Sequence, residues 1–585
     1  MYELDDYRWQ TYGQAKEATD RISEWLVEQG LKPGDCMLIY ANTRAEWIQM
    51  ALACCSMGMV ISTAYVSMPP EAVAHIIEET EPKAVLTEIS LMGTLNKAKD
   101  KSSGNYEPSF FIYTGEDFEG AEQLSTFKSR NQDSTIVHWN DIVHKKENDG
   151  GKQNKKKQQQ NIPNPDDIAM IMYTSGTTGA PKGIELTHGN IVAAMGAAEH
   201  LVMDLLDHGN HCYIGFLPLA HVLEFIIEFI MVTVGIPIGY ATARTLMPGS
   251  VAGKNGQGKG KGDLELLSPT IMVGVPAIWE RIRNGVLGEL EKQHWTLKKA
   301  FELAIELKWQ MLCFFGQDNV LTRVFDYTLF SPVRAKMGGR VTYTLSGGAP
   351  LSTNTHKFVA STLGYLLQGY GLTECCGLGA LTIPSLGMVT GAIGPPSPSV
   401  EFKLVDVPDT EYKAENGIGE LYIRGPSLMR GYFKRPDLNR EAFDGDGWFK
   451  TGDVAQIRSD GSFAITDRAK NLVKLAHGEY IALESLESKY RNNTGIKNIC
   501  IQADSSKDYI IALVEPADAN ADKQILLKDL QNTARGADCN RCEIIKDILI
   551  TKDVEWTDKY LSNSGKLKRK DISEDYKGEI KEIYK

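Results

Sequence analysis

The chain has 585 residues, 42% hydrophobic and 24% charged, with 63 basic against 75 acidic side chains and a formal charge of -12. It is too long for one compact core, so at least two domains are expected, and its acidic balance argues against nucleic acid as the main partner. Ten cysteines over this length, with Cys54-Cys55 and Cys375-Cys376 adjacent, make no disulfide framework and point to reduced thiols in a cytosol-facing protein.

The polar, acidic start Met1-Tyr-Glu-Leu-Asp-Asp does not read as a signal peptide. Thr11 and Gln14 form a capping-box pattern ahead of Ala15, Ala18, Ile22 and Leu26, which share one helical face. Gly30 closes that helix, and Pro33-Gly34 turns into a strand from Cys36 to Tyr40. Thr43 and Glu46 repeat the capping pattern for a second helix ending near Gly58. A strand from Val60 to Tyr65, a helix entered at Pro69-Pro70 and a strand from Ala84 to Thr87 follow. Repeated β-α-β units imply a parallel sheet with helices on its faces, an α/β fold.

Residues 150 to 161 hold no apolar side chain and read as a solvated linker, and 249 to 262 as a Gly/Lys-rich loop. Phe225 to Ala241 is the most apolar stretch, but Glu228, Gly235 and Pro237 interrupt it. A buried helix followed by a strand fits it better than a membrane span. Trp279 to Phe315 carries long helical periodicity. Short strands punctuated by glycine begin near Gly419, Gly447 and Gly461. The pattern changes near Asp467 to a smaller α/β stretch with strands near Ile499–Gln502 and Tyr509–Leu513. The lone pair Cys539-Asn-Arg-Cys542 reads as surface thiols rather than a zinc or redox motif.

Chemistry concentrates in Tyr173-Thr-Ser-Gly-Thr-Thr-Gly-Ala-Pro-Lys-Gly183, which follows an apolar run from Ile168 to Met172 that reads as a buried strand. The hydroxyls of Ser175, Thr177 and Thr178 can donate to phosphate oxygens. Gly176, Gly179 and Gly183 let backbone N–H groups approach an anion, and Lys182 adds a point charge. The spacing is not that of a Walker A loop.

This stretch resembles the phosphate loop of the adenylate-forming enzymes, the family of acyl-CoA synthetases, luciferases and peptide-synthetase adenylation domains. Further stretches match it in order: Phe216-Leu-Pro-Leu-Ala-His221-Val-Leu-Glu224, Ser346-Gly-Gly-Ala-Pro350, Gln368-Gly-Tyr-Gly-Leu-Thr-Glu374 and Gly447-Trp-Phe-Lys-Thr-Gly-Asp453. Asp467-Arg-Ala-Lys-Asn-Leu-Val-Lys-Leu-Ala-His-Gly-Glu-Tyr480 and Ser564-Gly-Lys-Leu-Lys-Arg569 complete the series. The wording of the stretches at His221 and at Asp467 is similar to the long-chain fatty acid CoA ligases.

The resemblance implies a large multi-sheet adenylate-forming N-terminal domain, residues 1–466, and a small mobile α+β C-terminal domain, 467–585, hinged at Lys470. It implies ATP-dependent formation of acyl-AMP from a long-chain fatty acid, then thioester formation with CoA. Thr174, Ser175, Gly176, Thr177, Thr178, Gly179 and Lys182 would hold the β- and γ-phosphates. Glu374, with Thr177, would hold Mg2+, and Thr373 would bond the α-phosphate. Gly347, Gly348, Ala349, Pro350, Gln368, Gly369, Tyr370 and Gly371 would frame the adenine. Asp453 would accept the ribose hydroxyls with help from Arg468, and Lys566 would lie between acyl carboxylate and α-phosphate. His221, Phe225 and Gly274 would border the acyl group, with Phe225 as a gate. The segment from Lys474 to Tyr480 resembles a loop that moves in for the CoA step.

Members of that branch usually begin earlier, often with a membrane-anchoring segment, whereas this chain starts close to its first helix. Peripheral contact with the endoplasmic reticulum or another organelle membrane is therefore left open. A rival within the fold activates another acid, and a rival of another class is a silent lipid-binding scaffold. The scaffold predicts losses at Glu374, Asp453 or Lys566, and all three are present. A kinase would need loops that are absent.

Overall fold

The structure, a computed structural model, describes residues 2–4, 6–102, 107–115, 120–144, 162–174, 181–203, 206, 210–248, 251–252, 260–315, 320–383, 387–477, 479–537, 539–551, 555–561 and 567–584. The chain forms two compact units, one of residues 1–269, 371–378 and 425–441, the other of 270–370, 379–424 and 442–585.

The first unit is built on an eight-stranded sheet. Its order is Gly431–Tyr432, Lys182–Thr187, Ile168–Thr174, Val60–Thr63, Cys36–Tyr40, Ala84–Glu88, Phe110–Thr114 and Thr135–His138. The last six run parallel, and the first two pair antiparallel at one edge. Cys36–Tyr40 is buried at every residue, as an unbroken apolar run must be when helices cover both faces of a sheet. The helix Tyr12–Glu28 carries the expected capping box from Thr11 and Gln14.

The second expected cap is not made. The helix Ala45–Met57 has Arg44 at its cap position with no side-chain capping bond. The Thr43 hydroxyl instead donates to the Leu217 carbonyl and accepts the Leu219 N–H at 3.0 Å. A distant loop has outcompeted the local helix end for that oxygen. The apolar stretch resolves as expected into a helix, Val222–Val234, closed by Gly235 in the left-handed region, and a strand, Ile238–Tyr240.

In the second unit the strands Ile271–Gly274, Tyr343–Ser346 and Tyr365–Tyr370 run parallel, and Ala380–Leu381 pairs antiparallel with the end of the third. Trp279 to Phe315 is two helices, Pro276–Leu290 and Trp295–Phe315. The glycine-punctuated strands join one antiparallel sheet ordered Glu401–Val405, Ile418–Arg424, Phe449–Ile457 and Phe463–Arg468. Beyond Asp467 lie a hairpin, Leu472–Lys474 with Tyr480–Ala482, and a sheet of Ile496–Ala503, Ile510–Pro516 and Asp547–Ile550. This last stretch has cores of its own, one around Ile499, Ala512 and Leu530, the other around Trp556 and Tyr560. No described helix is long and apolar enough to cross a membrane.

His356 is a buried titratable group in the helix Thr353–Thr362, edge-on to Trp309. Neither ring nitrogen has a hydrogen-bond partner among the described residues. Burial lowers its pKa to about 4. A histidine held neutral by the fold contributes stability that is fully present above its ordinary value of 6.5 and is lost as pH falls through about 4. About 3 kcal/mol should disappear across that window. Denaturant midpoints measured at steps of pH should show this slope flattened in His356→Phe, and an equal slope in both proteins would refute the assignment.

Candidate active site

Within the first unit, the strands on either side of the 175–180 segment pair antiparallel, with Tyr173 opposite Gly183 and Thr174 opposite Lys182. Ser175, Gly176, Thr177, Thr178 and Gly179 lie outside the described residues, as does Lys566. Thr174 sits at the C-terminal end of a strand whose other neighbour is parallel, the edge where open α/β sheets place their ligand loops.

Lys182 meets a residue that the sequence motifs do not single out. Its Nζ lies 5.7 Å from the centre of the Tyr432 ring, within cation–π range. The Tyr432 hydroxyl donates to Glu374 Oε1 at 3.0 Å. Burial and the Glu374 charge raise the Tyr432 pKa far above the ordinary phenol value, so the group stays a donor. Tyr432 thus links the lysine of the loop to the candidate metal-binding carboxylate. Its position follows from strand pairing, Tyr432 opposite Ile184 and Gly431 opposite Glu185.

Glu374 and Thr373 sit in a 3-10 turn, Thr373–Cys375, tied down by the Met429 N–H donating to the Glu374 carbonyl at 2.7 Å. Gly371 is required here, because a Cβ would come within 2.0 Å of the Gly377 carbonyl oxygen. Cys375 is buried, and its sulfur exchanges hydrogen bonds with the backbone of Leu372, bracing the same turn. An ionised carboxylate has about four lone-pair sites, of which Tyr432 uses one. The remaining oxygen capacity suits a hard cation such as Mg2+.

His221 caps the helix Val222–Val234, its Nδ1 accepting the Leu223 N–H at 3.2 Å, with its ring edge-on to Tyr65. Phe225 is fully buried, against Trp47 and Phe229. The same helix buries two carboxyls completely, one turn apart: Glu224, bonded by Tyr213 at 2.8 Å, and Glu228, bonded by Tyr240 at 2.9 Å. Both pKa values are pushed up by burial. Gly215 makes room for the pair, since a Cβ there would lie 2.8 Å from Glu228 Oε1.

In the second unit, Asp453 is only 4% exposed. Its Oδ2 accepts the Tyr370 hydroxyl at 2.7 Å, and Arg468 Nε lies 3.4 Å from Oδ1. Asp453 and Arg468 are partners across antiparallel strands, which fixes this geometry. Three residues from three separate motifs therefore converge. Gly347, Gly348, Ala349 and Pro350 follow the strand Tyr343–Ser346, with Gly348 in the left-handed region, and Gln368, Gly369 and Tyr370 end the neighbouring strand. Gly274 ends the next strand across, where a Cβ would press on the Trp279 ring at 3.0 Å. Lys470 lies in the 3-10 turn Ala469–Asn471. Asp467, just before that turn, accepts the N–H of Arg468 at 2.6 Å and that of Glu484, at the start of the helix Leu483–Tyr490, at 2.9 Å, and burial raises its pKa to about 6.

A family model described as AMP-binding enzyme matches residues 1–433. Over its whole length the chain is 33% identical to long-chain-fatty-acid–CoA ligase 1 of Saccharomyces cerevisiae, covering 87% of that protein. It is 32% identical to long-chain-fatty-acid–CoA ligase 2 of Schizosaccharomyces pombe, covering 86% of it. Its fold is similar to the adenylation domain of a carboxylate reductase from Mycobacterium chelonae, with a TM-score of 0.79 and 22% identity over 99% of this chain and 85% of that one. The seven ordered motifs, the α/β architecture and these full-length matches agree, and the chain belongs to the AMP-binding enzyme family, among its long-chain-fatty-acid–CoA ligases.

Proposed function

We propose that the protein activates a long-chain fatty acid with ATP and joins it to CoA. The observation that carries this reading is the full-length similarity to ligases named for long-chain acids, in a chain where Glu374, Asp453 and Lys566 are all present. In the first half-reaction a carboxylate oxygen bonds to the α-phosphorus, the bond to the bridging oxygen breaks, and pyrophosphate leaves. In the second, the CoA thiol loses its proton and attacks the acyl carbon, and AMP leaves with the oxygen. Both steps bring anions together, so catalysis rests on positioning and charge neutralisation.

The 174–182 segment holds the β- and γ-phosphates, with Lys182 steered by Tyr432. Thr373 bonds the α-phosphate. Glu374, with Thr177, would hold Mg2+, which would neutralise phosphate charge when bound. Asp453, oriented by Tyr370 and Arg468, accepts the ribose hydroxyls, a task for a group that only accepts. Lys470 is the hinge for residues 467–585, and His221, Phe225 and Gly274 border the acyl group. The protein faces the cytosol, where its ten free cysteines stay reduced. Because a long-chain acid partitions into bilayers, peripheral contact with a membrane belongs to the same reading.

The test is pyrophosphate release from purified protein with MgATP and palmitate, with and without CoA, beside short-chain, very-long-chain and aromatic acids. Palmitate-dependent release with palmitoyl-CoA formed on adding CoA is the expected result. Preference for another acid would move the substrate class, and silence with every acid from folded protein would favour the lipid-binding scaffold. Asp453→Asn should raise the KM for ATP about 10- to 100-fold, the worth of charged hydrogen bonds to the sugar, with a smaller change in kcat. An unchanged KM would remove Asp453 from the ribose site.

A further inference from the structure

Three side chains of different donor chemistry converge in the stretch beyond Asp467, two of them in the Lys474–Tyr480 segment that resembles the loop of the CoA step, and none of them is assigned a role there. The ligand atoms of His477, Glu479 and Cys542 all lie within 4.8 Å of one another. Glu479 Oε2 is the shared centre, 2.6 Å from Cys542 Sγ and 3.7 Å from His477 Nε2. We propose that His477, Glu479 and Cys542 form a binding site for a zinc-class divalent cation that ties the turn of the Leu472–Ala482 hairpin to the turn Arg541–Glu543.

The donor set selects the metal. Sulfur and imidazole nitrogen beside one carboxylate suit Zn2+ and its soft neighbours, whereas Mg2+ and Ca2+ take oxygen. In a tetrahedral zinc centre, ligand atoms stand about 3.3–3.6 Å apart. The imidazole–carboxylate separation needs to close by only about 0.1 Å, and the sulfur–carboxylate pair needs to open by about 1 Å. Three protein ligands leave the fourth position to water, and the exposure of His477 and Glu479 gives the ion a way in.

Both supports are anchored, so the cluster is more than a chance meeting of surface chains. Leu475 is buried, and its N–H donates to the Glu479 carbonyl at 2.8 Å, closing the hairpin turn. The Ala476 N–H donates to the Lys507 carbonyl at 2.9 Å. On the other side, the Asn540 N–H donates to Glu543 Oε2 at 2.8 Å and the Tyr490 hydroxyl to the Glu543 carbonyl at 2.9 Å, fixing the turn that carries Cys542. The pairing that matters crosses from the hairpin to Cys542, and Cys539, the other half of the CxxC pattern, is not in the cluster.

The experiment is a Co2+ titration of the reduced, chelator-treated full-length chain, followed by displacement with Zn2+. The expected result is one equivalent bound with a thiolate-to-cobalt charge-transfer band. Cys542→Ser should abolish the band, and His477→Ala and Glu479→Gln should each weaken binding at least about tenfold. Cys313→Ser, at an exposed thiol elsewhere, should leave it unchanged. A band that persists in Cys542→Ser, affinity unaltered in His477→Ala, or no stoichiometric uptake by folded protein would each overturn the site. None of these readouts depends on ligase activity.

Discussion

Glu374→Gln should lower palmitate-dependent pyrophosphate release by about 10²–10³-fold, the usual cost of deleting one well-placed electrostatic group from a phosphoryl-transfer site. Glutamine keeps the shape and can still accept the Tyr432 hydroxyl, which now lies 3.0 Å from Oε1. The turn held by Met429 should therefore persist, and the loss can be assigned to charge. A titration of Mg2+ at saturating ATP separates the two parts of the role, because a weakened metal ligand shifts the Mg2+ requirement upward while a purely structural residue does not. Tyr432→Phe is the companion variant. It leaves the carboxylate and the ring over Lys182 but removes one hydrogen bond to a charged group, so the loss should stay near tenfold. If Glu374→Gln kept more than a tenth of the wild-type rate at low Mg2+, the metal assignment would fail.

What the sequence made legible divides along the range of the interaction. The capping box at Thr11 and Gln14 was readable because both partners lie within one turn of helix. Thr43 carries the same local pattern, yet its hydroxyl is drawn to Leu217 and Leu219, a competitor no window around the residue contains. Asp453, Tyr370 and Arg468 were each marked by motifs, and the structure adds their convergence on one carboxylate. Tyr432 was not marked. It sits in Arg430-Gly-Tyr-Phe-Lys434 with no chemistry-bearing spacing, and its role follows from a pairing with a strand some 250 residues earlier. One faint signal was available in Gly431, where a Cβ would come within 2.9 Å of the Asn439 side chain, since an isolated glycine in a strand marks a close approach. The same holds for Glu224 and Glu228. Their spacing puts both on one helical face, but the tyrosines that satisfy them come from the neighbouring strands Tyr213–Gly215 and Ile238–Tyr240. Two buried carboxyls on an apolar helix thus mark a site whose partners only the tertiary fold supplies.

Lys566→Ala should cut acyl-AMP formation about 10²–10³-fold while leaving thioester formation from supplied acyl-AMP and CoA within about threefold of wild type. The asymmetry follows from charge. In the first half-reaction a carboxylate must approach a triphosphate, and a cation between them lowers the repulsion at the reacting oxygens. In the second, the acyl group is already a neutral mixed anhydride carbon, and that cation has no comparable partner. A lysine carries its charge as a compact point on a long flexible stem, which suits a residue that arrives with a hinged segment and leaves with it. Lys566→Arg tests that argument, because guanidinium keeps the charge but spreads it over a planar fork, and it should restore only a small part of the rate. The two half-reactions must be measured separately, by pyrophosphate release in the absence of CoA and by acyl-CoA formation from presynthesised acyl-AMP. Equal loss in both would mean that Lys566 supports the fold of its segment or a common binding step, and would withdraw it from the adenylation site.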